Sequence, residues 1–190
     1  MLLNFGSKIV YPSLGPCLVL AIVKRVIDDV PLEFYQLRIL SGGGEIFVPI
    51  DGFRLVGVRP LLEKTEIPRV LERLKEPAKV VVDYRQRHLN ILLAFDSGSA
   101  FDLAEIVESL TELRDTKTLS TTERNWLNRA KSQLVCEIAE VIDATREAVE
   151  IQIEQALTAR PRVIAACPMK RTHRVNRAHP MPESISDRRY

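Results

Sequence analysis

The sequence predicts an α+β protein in two parts: a small bent β-sheet first, then a compact all-helical segment. Two observations carry this. Up to residue 58, short apolar runs rich in Val, Ile, Leu, Phe and Tyr are cut by Gly, Pro and Asp at close intervals, as strands and corners require. From about Ile67 the apolar period changes to that of a helix and does not change back. Strands first and helices after is an order that most enzyme folds do not have, and it points to a two-part adaptor.

Five strands are expected, at 7–12, 17–27, 33–40, 45–50 and 53–58. Pro12 with Gly15-Pro16 marks the first corner, and Asp28-Asp29 with Pro31 the second. Ser41-Gly42-Gly43-Gly44 can supply positive φ and closes a hairpin; Asp51-Gly52 marks the fourth corner. Five short strands with tight corners suit a small barrel or a strongly bent sheet.

Helices follow. Pro68 fits a first helical position, ahead of an apolar stripe of Val70, Leu71 and Leu74 that Pro77 closes. A second helix is expected over 79–95, with Val81, Val82, Leu89, Leu92 and Leu93 apolar, broken by Ser97-Gly98. Ser99, three residues before Asp102, caps a third that runs to about Leu113. Ser120 with Glu123 forms a capping box for a long helix striped by Leu127, Ala130, Leu134, Ile138 and Val141. Asp143 is the expected cap of a last helix ending near Leu157, unless the two are one bent helix. The expected division is 1–62, 63–159 and a basic tail, 160–190, with four prolines and no periodic apolar face, expected to be disordered.

Charge follows the same division. The chain carries +2, but residues 160–190 hold eight Lys/Arg against two acids, leaving 1–159 at −4. A basic tail attracts nucleic acid or an anionic surface without sequence specificity. No stretch nears the roughly 18–20 apolar residues that cross a bilayer, and the first residues lack the pattern of a signal peptide. Cys17, Cys136 and Cys167 are odd in number and lack ligand spacing, so neither a disulfide framework nor a zinc site is expected. A reduced, cytoplasmic setting is the simplest expectation.

Catalytic signatures are missing. There is no phosphate-binding glycine loop after a strand, and of His88, His173 and His179 two fall in the tail. Glu105 with Glu108, and Glu147 with Glu150 and Glu154, read as solvated helix faces, and Trp126 as a packing residue. No enzyme activity, cofactor or metal is expected. Asp83-Tyr84-Arg85-Gln86-Arg87-His88 is different: an aromatic beside arginines suits DNA, the guanidinium groups on phosphates and the ring at a base step. Yet Tyr84, His88, Ile91 and Phe95 also form a stripe that suits a core, and spacing leaves both readings open.

Several blocks, in order, resemble one family. They are Ile9-Val10-Tyr11-Pro12-x-x-Gly15, Val48-Pro49 and Val56-Gly57-Val58-Arg59, then Tyr84-Arg85-Gln86-Arg87, Ser97-Gly98, Ala104 to Leu110, and Leu119-Ser120-x-x-Glu123-Arg124-x-x-Leu127-x-x-Ala130. Together they are similar to the CarD-like (CdnL) bacterial transcription regulators over about residues 3–157. Their amino-terminal module is shared with the transcription-repair coupling factor. The resemblance implies a Tudor-like module that binds the β subunit of RNA polymerase. It implies a helical module that touches promoter DNA near the upstream edge of the melted region and stabilises the open complex. The sigma factor is a further candidate neighbour, and a monomer is expected. On this resemblance Arg25 matches a basic polymerase-binding position, and Phe47 stands where the family has a second one. Tyr84 aligns with the family's wedge tryptophan, and Arg87 and Arg124 keep basic positions of the DNA patch, with Arg85 in the same run. The alternative is a polymerase-binding adaptor without direct DNA contact.

Overall fold

The computed structural model describes residues 3–52, 56–77 and 83–160. Five antiparallel strands, β1 (Lys8–Tyr11), β2 (Gly15–Ile27), β3 (Val30–Ile39), β4 (Glu45–Pro49) and β5 (Arg59–Pro60), lie in the order β4-β3-β2-β1-β5. β2 is 13 residues long and shifts register between Val19 and Ala21. Such an irregularity bends a strand. One face buries Ile9, Cys17, Val19, Tyr35, Leu37 and Val48, and the Tyr35 hydroxyl accepts the Leu3 backbone N–H at 3.1 Å.

The corners differ from expectation in detail. Pro16 and Pro31 lie inside β2 and β3, opposite Val10 and Val26, so the turns are made by Ser13 (φ 63°) and by Asp28-Asp29 (φ 50° and 61°). Asp tolerates the left-handed region better than most residues, which suits a two-residue hairpin turn. The Gly43-Gly44 hairpin forms as expected, closed by Ile39 N–H donating to the Gly44 carbonyl at 3.0 Å. The fifth strand falls later than expected: residues 53–55 lie outside the described residues, 56–57 are turn, and Arg59–Pro60 pairs with β1.

Five helices follow: α1 (Ile67–Arg73), α2 (Tyr84–Ser97), α3 (Ala100–Thr116), α4 (Thr121–Ile142) and α5 (Arg146–Thr158). They share a core separate from that of the sheet, with Val70, Leu74, Ala104, Val107, Leu110, Ala130, Leu134, Ile138, Val149 and Ile153 inaccessible to solvent. α3 lies at the centre and packs against α1, α2 and α4. Alanines 100, 104 and 130 let these backbones approach closely.

The second helix begins at Tyr84. Asp83, expected inside it, is its N-cap and accepts the Arg85 N–H at 3.1 Å; residues 79–82 lie outside the described residues. The Ser120–Glu123 capping box forms in both directions. Asp143 does not open the last helix. It closes α4 in the left-handed region (φ 56°), and Thr145 caps α5 by accepting the Ala148 N–H. The two are therefore distinct helices.

Two charges, one expected on a solvated face and one in a disordered tail, are internal. Glu108 is fully buried in α3, its Oε2 3.2 Å from Arg73 of α1. Arg160, counted with the tail, is buried against Glu112 at 3.0 Å and donates to the Glu108 carbonyl. The expected disorder of 161–190 lies outside the described residues. Glu147, Glu150 and Glu154 are exposed as expected, the last two around Lys131. Among the described residues no helix is long and apolar enough to cross a membrane, and no group of side chains could hold a metal ion. Burial pushes the Cys17 thiol up to about 11 and raises that of Cys136, so both remain protonated.

Candidate functional site

Among the described residues the sheet presents a free edge at β4, which pairs with β3 on one side only. Arg25 on β2 and Phe47 on β4 point to the same face across β3, and the guanidinium lies 3.6 Å from the ring centroid. This is a cation–π contact at a half-exposed aromatic. Beside it Glu45 accepts from Gln36 at 2.7 Å and Arg38 at 3.3 Å, and those two contacts lower its pKa. The two residues picked from sequence, 22 positions apart, thus form one feature. Beyond it the tip of the β2–β3 hairpin leaves Val26, Ile27 and Val30 exposed above the Asp28-Asp29 turn, with Ile27 and Val30 on the Arg25 face and Val26 on the other. Sequence reading missed these three as surface residues, although the loss of alternation in Val26-Ile27 next to a turn was a signal.

The helical module presents a second feature where the first turns of α2 and α4 lie side by side. Arg87 of α2 pairs with Glu123 of α4 at 3.0 Å, and the His88 and Trp126 rings meet edge-to-face at 4.7 Å. Tyr84, at the first position of α2, is 49% exposed, with its ring 6.1 Å from His88 and 5.7 Å from the Arg87 guanidinium. The stripe Tyr84-His88-Ile91-Phe95 is therefore graded: Ile91 and Phe95 are core, His88 is intermediate and Tyr84 is surface. Trp126 is half-buried against the helical core, a packing role as expected.

The arginines separate into two kinds. Arg85 and Arg124 are exposed and have no ion-pair partner among the described residues. Arg87 is 8% exposed and sits behind Tyr84, its charge held by Glu123. Burial pushes the Glu123 carboxyl up, but the Ser120 backbone N–H and hydroxyl, together with Arg87, outweigh it and leave the pKa lowered. Two adjacent helix N-termini add a positive end-dipole to the charges of Arg85 and Arg124. The result is a basic edge with one half-exposed aromatic ring. No enclosed cavity with converging acid, base or nucleophile is built from these residues.

A bent sheet with a free edge, fixed to a helical bundle with an aromatic and arginines at two helix starts, defines a two-module binding protein. The comparisons agree. Residues 3–62 match the family model described as the CarD-like/TRCF RID domain, and residues 69–154 match that of the CarD C-terminal domain. The chain belongs to the CarD-like family. It is 21% identical over 145 residues to the Bacillus subtilis (strain 168) protein named "Putative transcription factor YdeB", across 76% of this chain and 94% of that one.

Proposed function

We propose that this chain is a transcription regulator that docks on the β subunit of RNA polymerase through the Arg25–Phe47 edge. Docking holds the N-terminal turns of α2 and α4 against promoter DNA near the upstream edge of the melted region, and the open complex lives longer. The observation that carries the reading is the union of Arg25 and Phe47 at 3.6 Å beside the outer edge of β4, which has no partner strand among the described residues. An edge strand accepts a partner strand through its backbone, and flanking side chains select the partner. At the other end, Tyr84 stacks on or wedges at a base step while Arg85 and Arg124 neutralise phosphates. Arg87 holds the Tyr84 turn in place from behind.

A specific observation favours the adaptor reading as well. The one arginine nearest the Tyr84 ring is already neutralised by Glu123, and residues 1–159 carry −4. Salt dependence separates the two. In the polymerase–promoter complex, Arg85→Ala and Arg124→Ala each lower the salt slope by about one unit if the residue neutralises a phosphate. Unchanged slopes leave the adaptor. Phe47→Ala and Arg25→Ala are expected to weaken binding of the full chain to core polymerase; wild-type affinity in both variants defeats the docking assignment.

A further inference from the structure

Two of the sequence blocks, Tyr11-Pro12-x-x-Gly15 and Gly57-Val58-Arg59, meet at one place away from the β4 edge. Arg59 of β5 uses all five guanidinium N–H groups. Nη1 donates to Glu137 Oε1 at 2.6 Å and to the Pro60 carbonyl at 2.9 Å; Nη2 donates to Glu137 Oε2 at 2.9 Å and to the Gly98 carbonyl at 2.6 Å; Nε donates to the same carbonyl at 2.9 Å. Glu137 is fully buried in α4, and its Oε1 also accepts the Leu62 N–H at 3.0 Å. One planar cation thus ties β5, the α2–α3 turn and α4 together, with no donor left over.

The β1–β2 corner closes the other side. Ser13 N–H donates to the Phe95 carbonyl at 2.9 Å, and the Ser13 carbonyl accepts from Gln133 at 2.8 Å and from Arg129. A Cβ on Gly15 would lie 2.9 Å from Gln133 Cγ, and one on Gly98 3.5 Å from Pro12 Cα. Lys8 adds a pair to Glu140 at 2.6 Å. Val10, 1% exposed, is buried here rather than in either module's core.

We infer that Arg59 and Glu137 are positioning residues: they fix the angle between the two modules, so that a sheet docked on one partner holds Tyr84 at a set place relative to it. This rests on the polymerase and DNA reading above and names what couples its two halves. The physical reason is the saturated donor set. A lysine has three donors and no fork, and cannot meet Gly98, Pro60 and both Glu137 oxygens at once. Because each module has its own core, loosening the junction leaves both folded.

The test uses the full chain as wild type, Arg59→Lys and Glu137→Gln, with nitroxide labels on cysteines placed at exposed Val26 and Glu147 in a Cys167→Ser background. Wild type is expected to give one narrow inter-label distance and both variants a broad distribution, with far-UV circular dichroism unchanged. A narrow, unshifted distance in both variants overturns the inference, whether or not polymerase binds. In the functional arm, both variants are expected to bind core polymerase within about twofold of wild type but to shorten open-complex lifetime at least about fivefold. Wild-type lifetimes in both variants overturn the coupling role. Failure of the wild-type chain to bind polymerase would instead defeat the underlying reading, and leave the distance measurement to judge the junction.

Discussion

Replacing Arg87 by methionine separates a structural arginine from one that meets DNA. The side chain is 8% exposed, and its partner Glu123 is 4% exposed. Removing one partner of a fully buried pair costs about 3–5 kcal/mol, because the remaining charge is left without compensation. Here compensation is partial. Glu123 Oε2 still accepts the Ser120 N–H at 2.9 Å and the Ser120 hydroxyl at 2.8 Å, and the carboxylate stands in the first turn of α4, where the helix dipole favours it. The expected loss is therefore about 2–3 kcal/mol, with the methionine stem keeping most of the packing. Urea unfolding followed by circular dichroism at 222 nm measures it. Adding Glu123→Gln removes the stranded charge, so the double variant is expected to lose at least about 1 kcal/mol less than the sum of the singles. The pH dependence has a sign too. A carboxyl with a lowered folded-state pKa stabilises above its unfolded value, near 4.3, and that stability is lost as pH falls through the folded value. Without Arg87 the folded value moves up, so acid unfolding begins at higher pH. A variant within about 0.5 kcal/mol of wild type, whose salt slope on the polymerase–promoter complex nonetheless falls by about one unit, would refute this and place Arg87 on a phosphate.

Two further perturbations test other parts of the fold. Burial pushes the Glu108 carboxyl up to about 7, against the pull of Arg73 and Arg160 and with Glu105 and Glu76 adding to the rise. The native state then holds a proton that the unfolded chain releases between about pH 4.3 and 7. Stability should fall by about 4 kcal/mol across that window and level off above it. Glu108→Gln should flatten the slope and exceed wild type at pH 8; an unchanged slope in urea unfolding at pH 5 and pH 8 removes Glu108 as its source. Gly15→Ala places a side chain at φ +86° and within 2.9 Å of Gln133 Cγ, and should cost about 1–3 kcal/mol. Gln133→Ala in that background should relieve the contact but not the backbone strain; full recovery or no loss at all would show that the corner yields.

What could be read from the chain and what could not divides along the range of the interactions. β1 to β4 and the helix starts at Pro68, Ser99 and Ser120 depend on neighbours within a few residues, and turn chemistry and capping patterns report those directly. Asp143 failed as a cap because a local rule competed with another: aspartate both caps helices and tolerates positive φ, and here the second use ends α4. Glu108 and Arg160 looked like surface charges because their partners are 35 and 52 residues away. Arg87 is the same case, with Glu123 36 residues on. The Tyr11-Pro12-x-x-Gly15 block was legible as a corner and Gly57-Val58-Arg59 as the end of a strand, but their reason is the module opposite: Gly15 clears Gln133 and Arg59 grips Glu137. At the candidate site, Arg25 and Phe47 were picked through a family resemblance; periodicity alone gives no cause to pair a residue of β2 with one of β4.

The charge balance and the junction lead to one mechanical consequence. Residues 1–159 carry −4, and among the named candidates only Arg85 and Arg124 are exposed and unpaired among the described residues. Two phosphate contacts on an acidic body give weak DNA binding at physiological salt. A docked sheet changes the problem, because the second contact becomes intramolecular and its strength is set by effective concentration. Flexible short linkers give effective concentrations of order millimolar, whereas a fixed angle confines Tyr84 to a smaller volume and raises the value further. That gain exists only if the angle is the right one, so under the proposed coupling the junction is a condition for DNA contact rather than a spacer. It follows that substitutions at Arg59 and Glu137, far from either proposed contact, should act on DNA and spare polymerase binding. Substitutions at Phe47 should weaken both together. A protein whose DNA contact survived loss of the sheet edge would have to bind DNA by its own charge; residues 1–159, at −4, offer no surplus for that, so the basic stretch 160–190, with eight Lys/Arg against two acids, would have to supply it.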